Sequence, residues 1–83
     1  MTDETQVYAA LNEVFREVFD DPALTVGAAT TAADVPGWDS QSHISLIVAA
    51  EARFGIRFRT AEIEELKDVG EFVRLIMAKK ARP

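Results

Sequence analysis

Asp39, Ser40 and His43 are the side chains whose types and spacing could do chemistry, within the stretch Pro36-Gly37-Trp38-Asp39-Ser40-Gln41-Ser42-His43-Ile44. A serine, a histidine three residues on and a carboxylate supply a nucleophile, a base and an orienting acid. Triads work by geometry, however, and Asp39 is adjacent to Ser40 rather than beyond the histidine. A second chemistry needs less machinery. Pro36 and Gly37 make a turn, and Asp39-Ser40 stand where a helix begins, so the Ser40 hydroxyl should project into solvent where the loop ends. Unpaired backbone N–H groups and the positive end of a helix dipole gather there, a favourable field for a phosphate ester on Ser40. Asp39 or Ser40 could equally be a plain N-cap, since both residue types are preferred at that position.

The rest of the composition narrows the choices. The chain has 83 residues, a size that predicts one domain spanning 1–83. There is no cysteine, hence no disulfide, no thiolate nucleophile and no Cys-ligated zinc, and the single histidine excludes multi-histidine metal sites. A net charge of −5 argues against nucleic acid as a partner. The first 52 residues hold nine acids against Arg16 alone, whereas residues 53–83 hold eight bases and five acids. Such asymmetry suits a directional surface for a protein partner, or simply uneven solvated faces. The N-terminus shows no cationic stretch leading into an apolar run, and no apolar run is long enough to span a bilayer. A cytoplasmic, monomeric protein with no membrane partner is expected.

The elements that must position Ser40 follow from periodicity. Val7, Leu11, Val14, Phe15 and Val18 form a helical stripe over Asp3 to Phe19, stopped at Asp20-Asp21-Pro22. Residues 20–39 lack periodicity and read as a long loop pinned by Leu24, Val26 and Val35. A second helix is predicted from Ser40 to Phe54, with Gly55 as its stop. Thr60 is expected to N-cap a short helix, AEIEEL, and Asp68 with Glu71 to form a capping box opening the last helix. That helix ends on Lys79 and Lys80, and the tail from about 79 to 83 should fray. The fold class is therefore all-α: a bundle of three main helices and one short one, with a long first loop. Phe15, Leu46, Phe54 and Phe72 should meet in its core.

At about 100° per residue, with Ser40 at zero, Leu46, Ala50, His43, Phe54 and Ile47 fall between about 240° and 340°, a sufficient core face. His43 then sits at the core edge, a satisfied and partly buried histidine. Ile44 and Val48 lie near 40° and 80° on the same convention, on the side of Ser40. Either they form an exposed docking patch or the long loop covers them. Ala49, Ala50 and Ala52 could leave the helix thin enough to admit a chain between helices, or could reflect helix propensity alone.

With Gly37-Trp38-Asp39-Ser40 placed ahead of Ile44-x-Leu46-Ile47-x-Ala49-x-Glu51, Phe54-Gly55-Ile56 and Ile63-x-x-Leu66-x-x-Val69-Gly70-x-Phe72, the sequence resembles the acyl carrier proteins over essentially its whole length, as a free-standing type. The resemblance implies a non-catalytic carrier. Ser40 would bear covalent 4′-phosphopantetheine taken from coenzyme A, and acyl intermediates would ride on it as thioesters, for fatty-acid, polyketide-like or other specialised acyl metabolism. Asp39 would help a phosphopantetheinyl transferase bind its metal and substrate. Gln41, Ile44, Val48 and Glu51 would contact that transferase and the acyl-loading and acyl-processing enzymes. Two departures stand out: Gln41 replaces the usual Leu or Met after the serine, and the second helix carries only Glu51 and Arg53 as charges. The alternative is a small helical adaptor, never modified, that docks through Ile44 and Val48.

Overall fold

A computed structural model describes residues 3–80, and among them every regular element is helical. α1 (Glu4–Val18), α2 (Ser40–Phe54) and α4 (Val69–Lys80) are the main helices, and α3 (Thr60–Glu64) is the short one. α1 packs against both α2 and α4. Its stripe of Val7, Leu11, Val14 and Phe15 is buried against Leu46, Ile47 and Ala50 of α2 and Val69, Phe72, Val73 and Ile76 of α4. Phe15, Leu46 and Phe72 lie in this core as expected, but Phe54 is only half-buried. It is the last residue of α2, and its carbonyl, left over at the helix end, accepts from Lys80 Nζ at 3.0 Å.

The helix ends show where local signals were read correctly and where they were not. Gly55 adopts φ 67° and donates back to the Glu51 carbonyl, so α2 stops where glycine predicts. α1 stops by another route. Asp20, not Pro22, turns the chain: at φ 51° it is left-handed, and the Asp20 and Asp21 N–H groups bond the Glu17 and Arg16 carbonyls. That pair of bonds is a Schellman motif with an aspartate where glycine is usual. Thr60 is the first residue of α3 rather than its cap; Arg59 precedes it and donates its N–H to the Glu62 carboxylate at 2.8 Å. Of the expected box at α4, the Asp68 carboxylate accepts from the Glu71 N–H at 2.8 Å. α4 runs helically through Lys79 and Lys80; of the tail expected to fray, Ala81–Pro83 lie outside the described residues.

The long loop is ordered by polar anchors that periodicity does not reveal. Val26 and Val35 are buried and Leu24 is half-buried, as expected. Around them, Asn12 of α1 donates to the Val26 carbonyl (3.2 Å) and accepts from the Val26 N–H (2.7 Å), while Arg16 Nε donates to the Leu24 carbonyl (2.7 Å). A 3₁₀ turn, Ala32–Asp34, adds local structure that the sequence reading left out. At the far side the loop accepts the otherwise orphaned N–H groups that open α4: Val69 donates to Thr30 and Gly70 to Ala28, at 2.9 and 3.0 Å.

Gly70 permits that approach. A Cβ there would stand 2.9 Å from the Ala28 carbonyl oxygen, whereas one at Gly27 would meet nothing within 4 Å. Gly70→Ala should therefore destabilise the protein by about 1–3 kcal/mol, and Gly27→Ala should stay within about 0.5 kcal/mol of the parent. Urea denaturation of the two variants side by side measures the difference.

Candidate functional site

The site begins with a turn. Trp38 N–H donates to the Val35 carbonyl at 3.2 Å, with Pro36 and Gly37 (φ 86°) between them, the residue pattern of a type II turn. Trp38 then fixes the turn to α1: its ring meets Phe15 edge-on at 5.2 Å and lies 6.1 Å from Phe19. Asp39 follows in extended conformation and caps α2, its carboxylate accepting from the Ser42 N–H at 2.9 Å. Ser42 Oγ donates back to the Gly37 carbonyl at 2.7 Å, so turn and helix are stitched together. Ser40 is left as the first helical residue, exposed, with its hydroxyl engaging no partner among the described residues.

The Asp39 N-cap that the sequence offers is present at this helix start. Of the N-terminal N–H groups, that of Ser42 is taken by the Asp39 carboxylate. The bond from Ser42 N–H favours the charged form and holds the Asp39 carboxyl below its ordinary value of 3.8. A phosphate on Ser40 would share this helix start with the Asp39 carboxylate.

His43 does not complete a triad. Trp38 Nε1–H donates to His43 Nδ1 at 3.2 Å, and the rings stack at 6.1 Å with 21° between their planes. Nδ1 is thereby occupied, and the Asp39 carboxylate is turned to Ser42 N–H rather than to the imidazole. The half-buried, satisfied histidine of the sequence reading is what the structure holds.

Ile44 is 65% exposed and Val48 58%, so the loop does not cover them. Gln41 is exposed on the same side. Glu51 does not join this face: one carboxylate oxygen accepts from the Phe58 N–H at 2.9 Å, the other lies 3.8 Å from Arg57, and its side chain is 16% exposed. It braces the α2–α3 connection, a role the helical wheel could not show because its partners lie beyond the helix end.

A groove of about 780 Å³ opens beside Ser40, with Trp38, His43 and Ile44 on one side and Ile63, Leu66 and Phe72 on the other. Thr60, Glu64 and Lys67 line it too. The alanines that suggested a thin helix are not part of it; Ala50 is packed in the core and Ala52 is exposed. The space arises where α3, which has no fully buried residue, stands off from α2. α3 is tethered from behind by Lys79, whose Nζ lies 2.8 Å from Glu62 and 5.9 Å from the centre of the Phe58 ring.

No family model matches the sequence. An acyl carrier protein of Acidothermus cellulolyticus is 34% identical over 71 residues, covering 86% of this chain and 84% of that protein. The solution structure of the holo acyl carrier protein from Geobacter metallireducens superposes with a TM-score of 0.86 and 41% identity, over 92% of this chain and 87% of that one.

The capping carboxylate gives a pH test. A depressed carboxyl stabilises the fold above its unfolded value and loses that contribution as pH falls through the folded one. Asp39→Asn retains a capping side chain but no charge. Between about pH 5 and about pH 3, urea denaturation should show a smaller loss of stability in Asp39→Asn than in the parent. Equal losses would mean that the cap does not depend on charge.

Proposed function

The chain belongs to the acyl carrier protein family, and from that premise we propose that Ser40 is the residue on which its 4′-phosphopantetheine is carried. The protein is a non-catalytic carrier of acyl groups, and the prosthetic group supplies the thiol that the cysteine-free chain lacks. One observation carries the assignment: Ser40 is exposed at the first position of α2, beside a groove, with its hydroxyl unpartnered among the described residues. The neighbouring Ser42 donates its hydroxyl to Gly37 and is half-buried.

In this reading a phosphopantetheinyl transferase brings coenzyme A to Ser40. The Ser40 Oγ forms a bond to phosphorus, the P–O bond to the adenosine bisphosphate breaks, and the hydroxyl proton passes to the transferase. Asp39 helps the transferase bind its metal and substrate. Gln41, Ile44 and Val48 form the face that docks on the transferase and then on acyl-loading and acyl-processing enzymes. A single carrier domain over residues 1–83, monomeric and cytoplasmic, belongs to the same reading. The adaptor alternative shares the apolar face but requires Ser40 to stay unmodified.

Co-expression with a broad-specificity phosphopantetheinyl transferase, followed by intact mass, decides between them. The parent should gain the mass of one phosphopantetheinyl group, and Ser40→Ala should gain none while keeping its helical circular dichroism. Modification persisting in Ser40→Ala would overturn the site. On the docking face, Val48→Asp should strongly reduce the transfer rate, whereas Glu51→Gln should change it little, since its amide oxygen can still accept from Phe58 N–H. The rate should fall only modestly from low to physiological salt, because the exposed side of α2 is apolar rather than charged.

A further inference from the structure

We infer that His43 is a binding residue for the prosthetic arm: its Nε2–H donates a hydrogen bond to an amide carbonyl of the pantetheine lying back in the groove beside Ser40, with Trp38 setting the tautomer. The inference rests on the Ser40 reading and adds to it where the arm is held.

The Trp38 indole N–H can only donate, so the nitrogen it meets at 3.2 Å, His43 Nδ1, must carry the lone pair. The neutral ring then bears its proton on Nε2. Nε2 has no hydrogen-bond partner among the described residues, and no side-chain nitrogen or oxygen among them is both buried and unpartnered, so Nε2 is open to solvent. His43 also lines the groove, together with the apolar Trp38, Ile44, Ile63, Leu66 and Phe72 and with polar residues that include Thr60 and Lys67. A donor held in one orientation beside apolar side chains suits a ligand that alternates amides with hydrocarbon, and pantetheine has two amides and a gem-dimethyl group. The stacking of His43 on Trp38, which is itself held by Phe15, keeps the imidazole from turning away. Such a site is organised before the arm arrives.

The test compares apo and holo protein, each verified by intact mass, at about pH 8, above the ordinary range of imidazole titration. Two-bond ¹H–¹⁵N correlations should show the Nε2–H tautomer in both forms. In the holo form, without any acyl cargo, the His43 Nε2 resonance should shift and its proton exchange with water more slowly. Nuclear Overhauser contacts from the arm's methyl groups to Ile63 and Leu66 should be present in the holo parent. They should be lost in His43→Phe, which keeps the ring stack but has no donor, and restored in His43→Gln, whose amide can both accept and donate. An unshifted Nε2 resonance, a dominant Nδ1–H tautomer, or arm contacts retained in His43→Phe would each overturn the inference. A response that appears only after acylation would move the bond to the thioester carbonyl and overturn it as stated. Were His43→Phe unable to fold, the Nε2 resonance of the unaltered chain would decide alone. Failure of the Ser40 reading shows separately, as a missing mass gain.

Discussion

A loop of about twenty residues in a chain with no cysteine has to be held by hydrogen bonds, and the Asn12 carboxamide is where that holding starts. It bonds both the N–H and the carbonyl of Val26, a residue whose side chain is buried. Burying a peptide group with its polar atoms unpaired costs about 1–3 kcal/mol for each group. Asn12 removes that cost at the point where the loop enters the core, and Arg16, one turn along α1, does the same for Leu24. With the loop fixed on α1, its next segment can offer carbonyls to the start of α4, and its end can deliver Trp38 to Phe15. α1 therefore determines where α2 and Ser40 begin.

The site built on this frame combines a rigid base with an open side. Ser40 follows a turn that is tied at Val35, Gly37 and Asp39, and it precedes a helix whose inner face is packed in the core. Across from it stands α3, five residues long and tethered through side chains. On the Ser40 reading proposed above, the fixed element carries the attachment point, and α3 borders the groove beside it. A carrier needs an unvarying position for the group that enzymes must find.

Much of this was legible in the sequence wherever the cause was local. The stripe of α1, the span of α2, the Gly55 stop and the exposure of Ile44 and Val48 all follow from spacing along one helix. What escaped was set by partners distant in the chain. Asn12 and Arg16 look like ordinary polar positions until the loop folds back on them. Glu51 falls on the outer side of a helical wheel, yet its carboxylate reaches forward to Phe58. Gly70 looks like a poor helix residue, and its lack of a side chain matters only because Ala28 lies against it. Asp20 takes the left-handed position that glycine usually occupies, so no glycine marks the residue that ends α1. At the site, the spacing of Ser40 and His43 was visible, but the Trp38–His43 bond that governs the imidazole was not.

Trp38 is the chain's single tryptophan, and it lies two residues before Ser40 with Phe15, Phe19 and His43 around it. Indole emission responds to the polarity and the quenchers next to the ring. The protein thus contains its own optical reporter, with one edge in the hydrophobic interior and one face on the imidazole that borders the groove. If Ser40 bears the arm as proposed, loading, unloading or enzyme encounter there becomes readable as a spectral change from a native side chain, with no label attached.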